Sequence, residues 1–510
     1  MKNIYKYITI IFTAFTISCN PDLDRINPNQ PTMDVFWNNA TDAEQGVNAI
    51  YSTFARVGFS RWMPIIFITR SDEGYSASPW ADLANAMGGF IQPDYNFGPV
   101  VDVWRDNYIG IFRANQVLEN VPLIEMDAEL KARLLGEAYF LRGYFYYNLA
   151  LLWGNVPLML EISTPTDLPP TATQQEVWAQ VERDLLNAIS GLPARYSSSN
   201  DLGRVTKGAA YALLAKTYMQ QEKNNDAESA LNWLVNGEGA GIYELASGYR
   251  DNFLIHTENN SESVFEWQFA VNPTEVTDDD VATFNHNYGS SIAQFMAPPG
   301  IGWSDAESRT WAIEEFLAER TIDNQRDPRL STSILYAFSD ERGPEFTMVY
   351  GQSFVQRYGN TNRNRAWHRK FLNDHWKNEE GYRSPNNYRF IRYADVLLMY
   401  AEVLNALGRT QEAYPYVDRV RQRVNLPALS VARPGLSQMA FLDQLKHERL
   451  LELFGEGHRY ADLIRWGDLN KNLASRDPGF NNFEVGKDEF LPIPQRDLDI
   501  NPNLRQNPRW

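Results

Sequence analysis

Cysteine is almost missing from this chain of 510 residues: Cys19 is the only one, so a disulfide within the chain is excluded. Positive charge is also short. Lysine and arginine total 47 against 64 aspartates and glutamates, a formal net charge of -17. No uniform positive field exists to collect phosphates, which argues against a nucleic-acid partner. No nucleophile elbow, phosphate loop or dinucleotide fingerprint occurs, so the usual marks of acyl transfer, nucleotide hydrolysis and hydride transfer are lacking. The acidic run Asp278-Asp279-Asp280 has neither the spacing nor the glycine of a calcium loop. His368 and His375, with Asp374 and Glu379 nearby, fit a polar surface loop as well as they fit a metal site. No metal or cofactor is expected. The apolar run Ile8 to Ile17 covers about half of the roughly twenty residues needed to cross a bilayer.

That short run has another reading. Lys2 and Lys6 precede it, and Thr16-Ile17-Ser18-Cys19 follows, which is the layout of a secretory signal peptide over residues 1–18. A lone cysteine directly after a small side chain at the end of such a signal resembles a bacterial lipobox, where the thiol is acylated. Acyl chains contribute about 0.8 kcal/mol per buried methylene and would tether an otherwise soluble body. Residues 19–40, with Asp22, Asp24 and several prolines, read as a lipidated tether, and 41–510 as the working domain.

Helical periodicity is plentiful within that domain. Thr41 and Glu44 have capping-box spacing ahead of Val47, Ile50 and Phe54. Leu134, Ala138, Leu141, Phe145, Leu149 and Leu152 form one apolar stripe, closed by Gly154 and Pro157. Thr173 and Glu176 open another capped helix that ends at Gly191-Leu192-Pro193, and two more are expected over 207–220 and 226–235. A similar pair returns at 394–407 and 411–424, around Gly408. Irregular spacing excludes a clean tandem array. The reading is mainly α: tetratricopeptide-like helical pairs within about 41–240 and 391–467, with long irregular inserts and a few short strands. Val264 to Phe269 alternates like one such strand.

The inserts, about 58–99 and 264–390, carry the functional expectation, because long irregular stretches in a compact protein are usually working loops. Aromatics make up 13% of the chain, and those within helices are most simply core. Rings placed in the inserts are free to stack on the C–H face of a sugar, while Asn and Asp at the rim bond its hydroxyls. The candidate ligand-binding residues are therefore Trp62, Asp72, Tyr75, Trp80, Asn85, Tyr95, Tyr288 and Trp303, with Trp80 and Trp303 foremost because glycine and proline lie close by. Carboxylate catalysis is weakly marked. Glu266 and Glu456 are the best candidates among 64 acidic residues, and each is expected to be a structural partner of arginine. The basic cluster Arg363, Arg365, Arg369 and Lys370 reads as a solvated loop.

Several stretches resemble one family, the RagB/SusD nutrient-binding outer-membrane lipoproteins. They include Leu141-Arg142-Gly143-Tyr144-Phe145-Tyr146, Gly154-Asn155-Val156-Pro157-Leu158, and Asp327-Pro328-Arg329-Leu330. Arg392-Tyr393-Ala394-Asp395 to Glu402, Glu448-Arg449 with Gly457-His458-Arg459-Tyr460-Ala461-Asp462, and Leu491-Pro492-Ile493-Pro494 continue the match in order. Gly455 departs from it, since a bulkier residue is usual there. The resemblance implies a SusD-like helical scaffold and a non-catalytic role. It further implies delivery of oligo- or polysaccharide to a SusC-like TonB-dependent transporter at the outer membrane. It assigns His458, Arg459 and Trp466 to structure, not to sugar. Net negative charge disfavours a uronic polymer and leaves a neutral glucan as the preferred ligand. A surface glycoside hydrolase and a helical assembly module without a glycan ligand are the alternatives from other classes.

Overall fold

A computed structural model describes residues 36–92, 94–271, 288–337, 348–377 and 379–510. The expected signal peptide, Cys19 with Asp22 and Asp24, and the Asp278–Asp280 run lie outside the described residues.

The first helix, α1 (Ala40–Tyr51), is capped at Asn39, two residues earlier than the spacing of Thr41 and Glu44 suggests. Asn39 accepts from the backbone of Thr41 and Asp42, and Asp42 reaches back to close the box. A shorter side chain at the same offset makes the same reciprocal pair. Residues 58–99 depart further from expectation. They form a π-helical turn (Gly58–Trp62), then α2 (Met63–Thr69) and later α3 (Ala81–Met87). Every residue of the first two elements is buried. A helix apolar all round shows no amphipathic period, so this stretch reads as irregular in sequence.

The long helices follow the sequence closely. They are α4 (Gly98–Asn120), α5 (Ala128–Leu152), α6 (Gln174–Gly191), α7 (Lys207–Met219) and α8 (Asn224–Val235). Asp127 caps α5, and Thr173 with Glu176 forms the capping box of α6. After the insert come α9 (Tyr393–Ala406), α10 (Thr410–Arg423), α11 (Gln438–Leu453) and α12 (Arg459–Arg465). Helices α5/α6, α7/α8 and α9/α10 pack as pairs. Contacts between α6 and α7 and between α8 and α9 join the pairs into one stack, although the insert separates the last two in sequence.

Short strands brace the insert. Strands β1 (Gly74–Tyr75), β3 (Glu307–Ser308), β5 (Ala366–His368) and β4 (Ile334–Tyr336) form one antiparallel sheet in the order β1-β3-β5-β4. Strand β2 (Ser263–Trp267) pairs with β6 (Tyr388–Arg392), setting Trp267 opposite Tyr388 and Glu266 opposite Arg389. Trp267 stacks against Tyr388 at 4.5 Å and against Phe54 at 5.4 Å, so this pair fastens the insert to the helical core. The C-terminal segment straps the end of α5: Leu491 donates to Leu152, and the Asn507 amide donates to the carbonyls of Trp153 and Leu491. Gly154 turns the chain there at φ +71, with Phe490 so close that a Cβ would stand 3.0 Å from its ring.

Candidate functional site

The π-helical turn begins the site. Its Ser60 carbonyl accepts from two serines of the insert: the Ser291 amide at 2.9 Å and the Ser290 hydroxyl at 3.0 Å. This staple brings the short helix Ile292–Met296, which carries Phe295, against the turn. Trp62 meets Phe295 edge-on at 5.4 Å. The buried Arg61 guanidinium lies over both rings, 4.2 Å from the centroid of Phe295 and 5.3 Å from that of Trp62, and its Nε donates to the Ser291 hydroxyl.

The chain then doubles back. Amides of Trp303, Ser304 and Asp305 donate to the carbonyls of Gln294, Ala297 and Phe295. The turn between them runs Pro298-Pro299-Gly300-Ile301-Gly302. Gly302 permits the close return, since a Cβ there would stand 2.2 Å from the Gln294 carbonyl oxygen. Trp303 is thereby lifted beside Phe295 while remaining 48% exposed. Its indole N–H donates to the Tyr382 hydroxyl at 2.9 Å, and Tyr382 meets Phe295 at 6.2 Å.

Pairing of β1 with β3 supplies the opposite end. Just past β1, the Ala77 amide donates to the Ser304 carbonyl, which aligns the segment leading to Trp80 with the segment that holds Trp303. Trp80 is 43% exposed and packs on Phe97 at 5.0 Å and on Trp62 at 6.3 Å. The result is a continuous aromatic row, Phe97–Trp80–Trp62–Phe295–Tyr382, with Trp303 bonded to its far member. Phe97, Trp62 and Phe295 are buried and fix the row from below, while the two outer tryptophans offer indole to solvent. Burial raises the Asp102 carboxyl at the base of the row, against the pull of Arg105 at 2.8 Å.

The other candidates fall in different places. Tyr75 is half-buried in β1 and its hydroxyl donates to Glu307 at 2.7 Å, with the Arg309 guanidinium 3.9 Å from its ring centroid. Burial, then Glu307, raises the phenol strongly, so it acts as a neutral donor already committed to the sheet. Asp72 is corrected outright: it is fully buried and salt-bridged to Arg459 and Arg476. Burial alone would raise its carboxyl, but the two guanidinium groups outweigh that and hold it low. No rim position is left for it. Trp62 is 5% exposed, a floor to the row and not an open stacking face. Tyr95 leans on Trp510 at 6.0 Å and belongs to the C-terminal strap. Asn85 is exposed on α3, and Tyr288 is 49% exposed at the start of the stapled loop.

Three row members escaped the sequence reading: Phe97, Phe295 and Tyr382. Phe97-Gly98-Pro99 and Gly381-Tyr382 show the same closeness of glycine or proline that singled out Trp80 and Trp303, so that criterion reaches two of them. Phe295 sits in an ordinary apolar run and carries no such mark.

Comparison with known proteins decides the family. Residues 214–510 match the model of the SusD family, more than half of the chain. The chain belongs to the SusD family. Residues 76–219 match a second family model, described as "Starch-binding associating with outer membrane". A SusD-like protein, P25, from Formosa agariphila is 25% identical over 535 residues, covering 99% of this chain and 98% of its own. Among solved structures, a SusD superfamily protein from Bacteroides vulgatus superposes with a TM-score of 0.81 at 26% identity, covering 93% of this chain and all of that one. A laminarin-binding SusD-like protein superposes with a TM-score of 0.75 at 29% identity, over the same shares.

In this SusD-family chain the C-terminal signature is a buried ionic lattice. Arg449 bridges Asp462 and Asp395, Lys216 meets Asp395 at 2.6 Å, and Arg465 holds Glu402 at 2.7 Å. Glu456 is buried between Arg392 and Lys370, which hold its carboxyl below the usual range against the opposing effect of burial. Glu266 pairs with the buried Arg389 at 3.7 Å and accepts from the Asn387 side chain at 3.0 Å and from the Asn259 amide. Arg369 and Lys370 are buried, Arg369 on Asp374, and Arg365 pairs with Glu307; only Arg363 of that basic cluster is exposed. Among the described residues no three His, Cys, Asp or Glu side chains gather as metal ligands.

Proposed function

We propose that this protein is a cell-surface glycan-binding lipoprotein of the outer membrane. It captures an oligo- or polysaccharide on the Trp80–Trp303 row and passes it, unaltered, to a SusC-like TonB-dependent transporter. The observation that carries this reading is a row with a buried aromatic base and exposed indoles at both ends. Rigid rings bury the C–H faces of pyranose units at little entropic cost, and fixed packing below spares the ligand the expense of ordering them. The laminarin binding of the SusD-like relative and the starch-binding description of the second matching model support a neutral glucan as the class. So does a net charge of -17, which repels uronic chains.

Titration of the protein with laminarin and with starch tests the proposal. Alanine at Trp80 or at Trp303 should cost about 1–3 kcal/mol of binding, roughly five- to over a hundredfold, with the melting curve unchanged. Unchanged affinity in both variants would move the site elsewhere. Release of new reducing ends by the pure protein would instead favour the hydrolase reading.

A further inference from the structure

A second concavity lies away from the aromatic row, between the α6–α7 connection and the approach to β2. It has a volume of about 350 Å³ and is walled by Tyr196 and Tyr243, with Arg195, Ser261, Ser263 and Glu266 among its polar lining. Both tyrosines are held from behind. The Tyr196 hydroxyl donates to the Val205 carbonyl at 2.8 Å, and the Tyr243 hydroxyl shares a 2.6 Å hydrogen bond with Thr206. Arg195 is fixed by the carbonyls of Gly241 and Ile242, which use only its Nη2.

Polar capacity remains on several sides of the cavity. Ser261 and Ser263 bring hydroxyls to the lining, Ser261 exposed and Ser263 half-buried. Glu266 accepts from the Asn259 amide and the Asn387 side chain and pairs with Arg389 at 3.7 Å, and a carboxylate with about four lone-pair positions retains acceptor capacity. Charge is balanced as well. An anion would meet Glu266 and Asp201, and a cation would meet Arg195 and Arg204, so neither sign is favoured. The half-buried ring of Tyr196, over a floor formed by the buried Tyr243, joins hydroxyl donors and a carboxylate acceptor in a lining that suits a neutral, hydroxyl-rich ring. The volume sits at the lower end of ligand sites, which span about 300–1,000 Å³, and so admits a short sugar and not a long chain.

We propose that this cavity is a second glycan subsite, taking one or two neutral sugar units. It borrows from the proposed function only the class of ligand. The test titrates the whole protein with laminarihexaose, maltohexaose, xylohexaose and mannohexaose in four forms: wild type, Trp80→Ala/Trp303→Ala, and that double variant carrying either Ser261→Trp or Ser263→Val. Ser261 is exposed, so a bulky ring there fills the cavity without entering the core. At least one hexaose should still bind the double variant. Adding Ser261→Trp should abolish that residual binding, and Ser263→Val should weaken it about two- to twelvefold, the worth of one hydrogen bond. Residual binding indifferent to both serine changes overturns the subsite. Complete loss in the double variant overturns it too, while leaving the aromatic row intact. Binding that ignores the double variant but fails with Ser261→Trp overturns the row and keeps the subsite. If wild type binds none of the four, both fail.

Discussion

Tryptophans that meet in one aromatic row do different work here, and burial separates them. Trp80 and Trp303 keep nearly half their surface in water, whereas Trp62 keeps 5%. Trp62→Ala should therefore lower stability by about 3–5 kcal/mol, seen as an earlier melting transition, before any effect on binding is read. A melting temperature equal to wild type would show that the row has no need of its base. Asp72 makes the complementary case. Removing its carboxylate with Asp72→Ala leaves the buried Arg459 without its partner, and breaking such a pair typically costs about 3–5 kcal/mol. Denaturant unfolding measures this. If the variant is as stable as wild type and binds sugar less well, Asp72 belongs to the site after all.

At the scale of elements, the seam between α11 and the helix Trp311–Leu317 responds to pH. His447 on α11 lies between Glu315 at 3.1 Å and Glu319 at 3.2 Å. Burial lowers the imidazole, but hydrogen bonds to the two carboxylates outweigh it and raise the pKa to about 9. Protons are thus held more tightly folded than unfolded. The stabilisation is complete below the ordinary value of 6.5 and disappears as pH rises through about 9. Glu73 acts in the same direction: burial raises its carboxyl to about 8, so its ionisation in mild alkali also weakens the fold. Urea unfolding followed from pH 6.5 to 9 should show falling stability, and His447→Gln should flatten part of that slope. An equal slope in the variant would assign the whole effect elsewhere.

For the whole molecule, the prediction concerns the proposed anchor at Cys19; no helix among the described residues is long and apolar enough to cross a membrane. Cys19→Ser should move the protein from the membrane fraction to the soluble fraction, with glycan affinity unchanged. Fatty-acid label retained on the serine variant would remove Cys19 as the attachment point. Within the described residues, the row is held by the helical stack. Its pairs are joined through α6–α7 and α8–α9 into a continuous body, and the insert that bears the row is fastened to it by β2 and β6.

Sequence alone determined the parts of this protein that depend on near neighbours. The stripe of α5, the Thr173–Glu176 box of α6 and the breaks at Gly154 and Gly408 are local, since capping and periodicity act over three or four residues. Loop tryptophans beside glycine and proline could be picked out for the same reason. What only tertiary structure decided depends on partners far along the chain. Asp72 reads as a rim residue until Arg459, 387 positions away, closes on it in the core. Residues 58–69 read as irregular because a helix buried on every side has no polar face to set a period. The row itself forms only when Ser60 captures Ser290 and Ser291, 230 and 231 residues downstream, and sets Phe295 under Trp62. Hydrogen bonds of that reach are fixed by packing of the whole chain, and no local pattern encodes them.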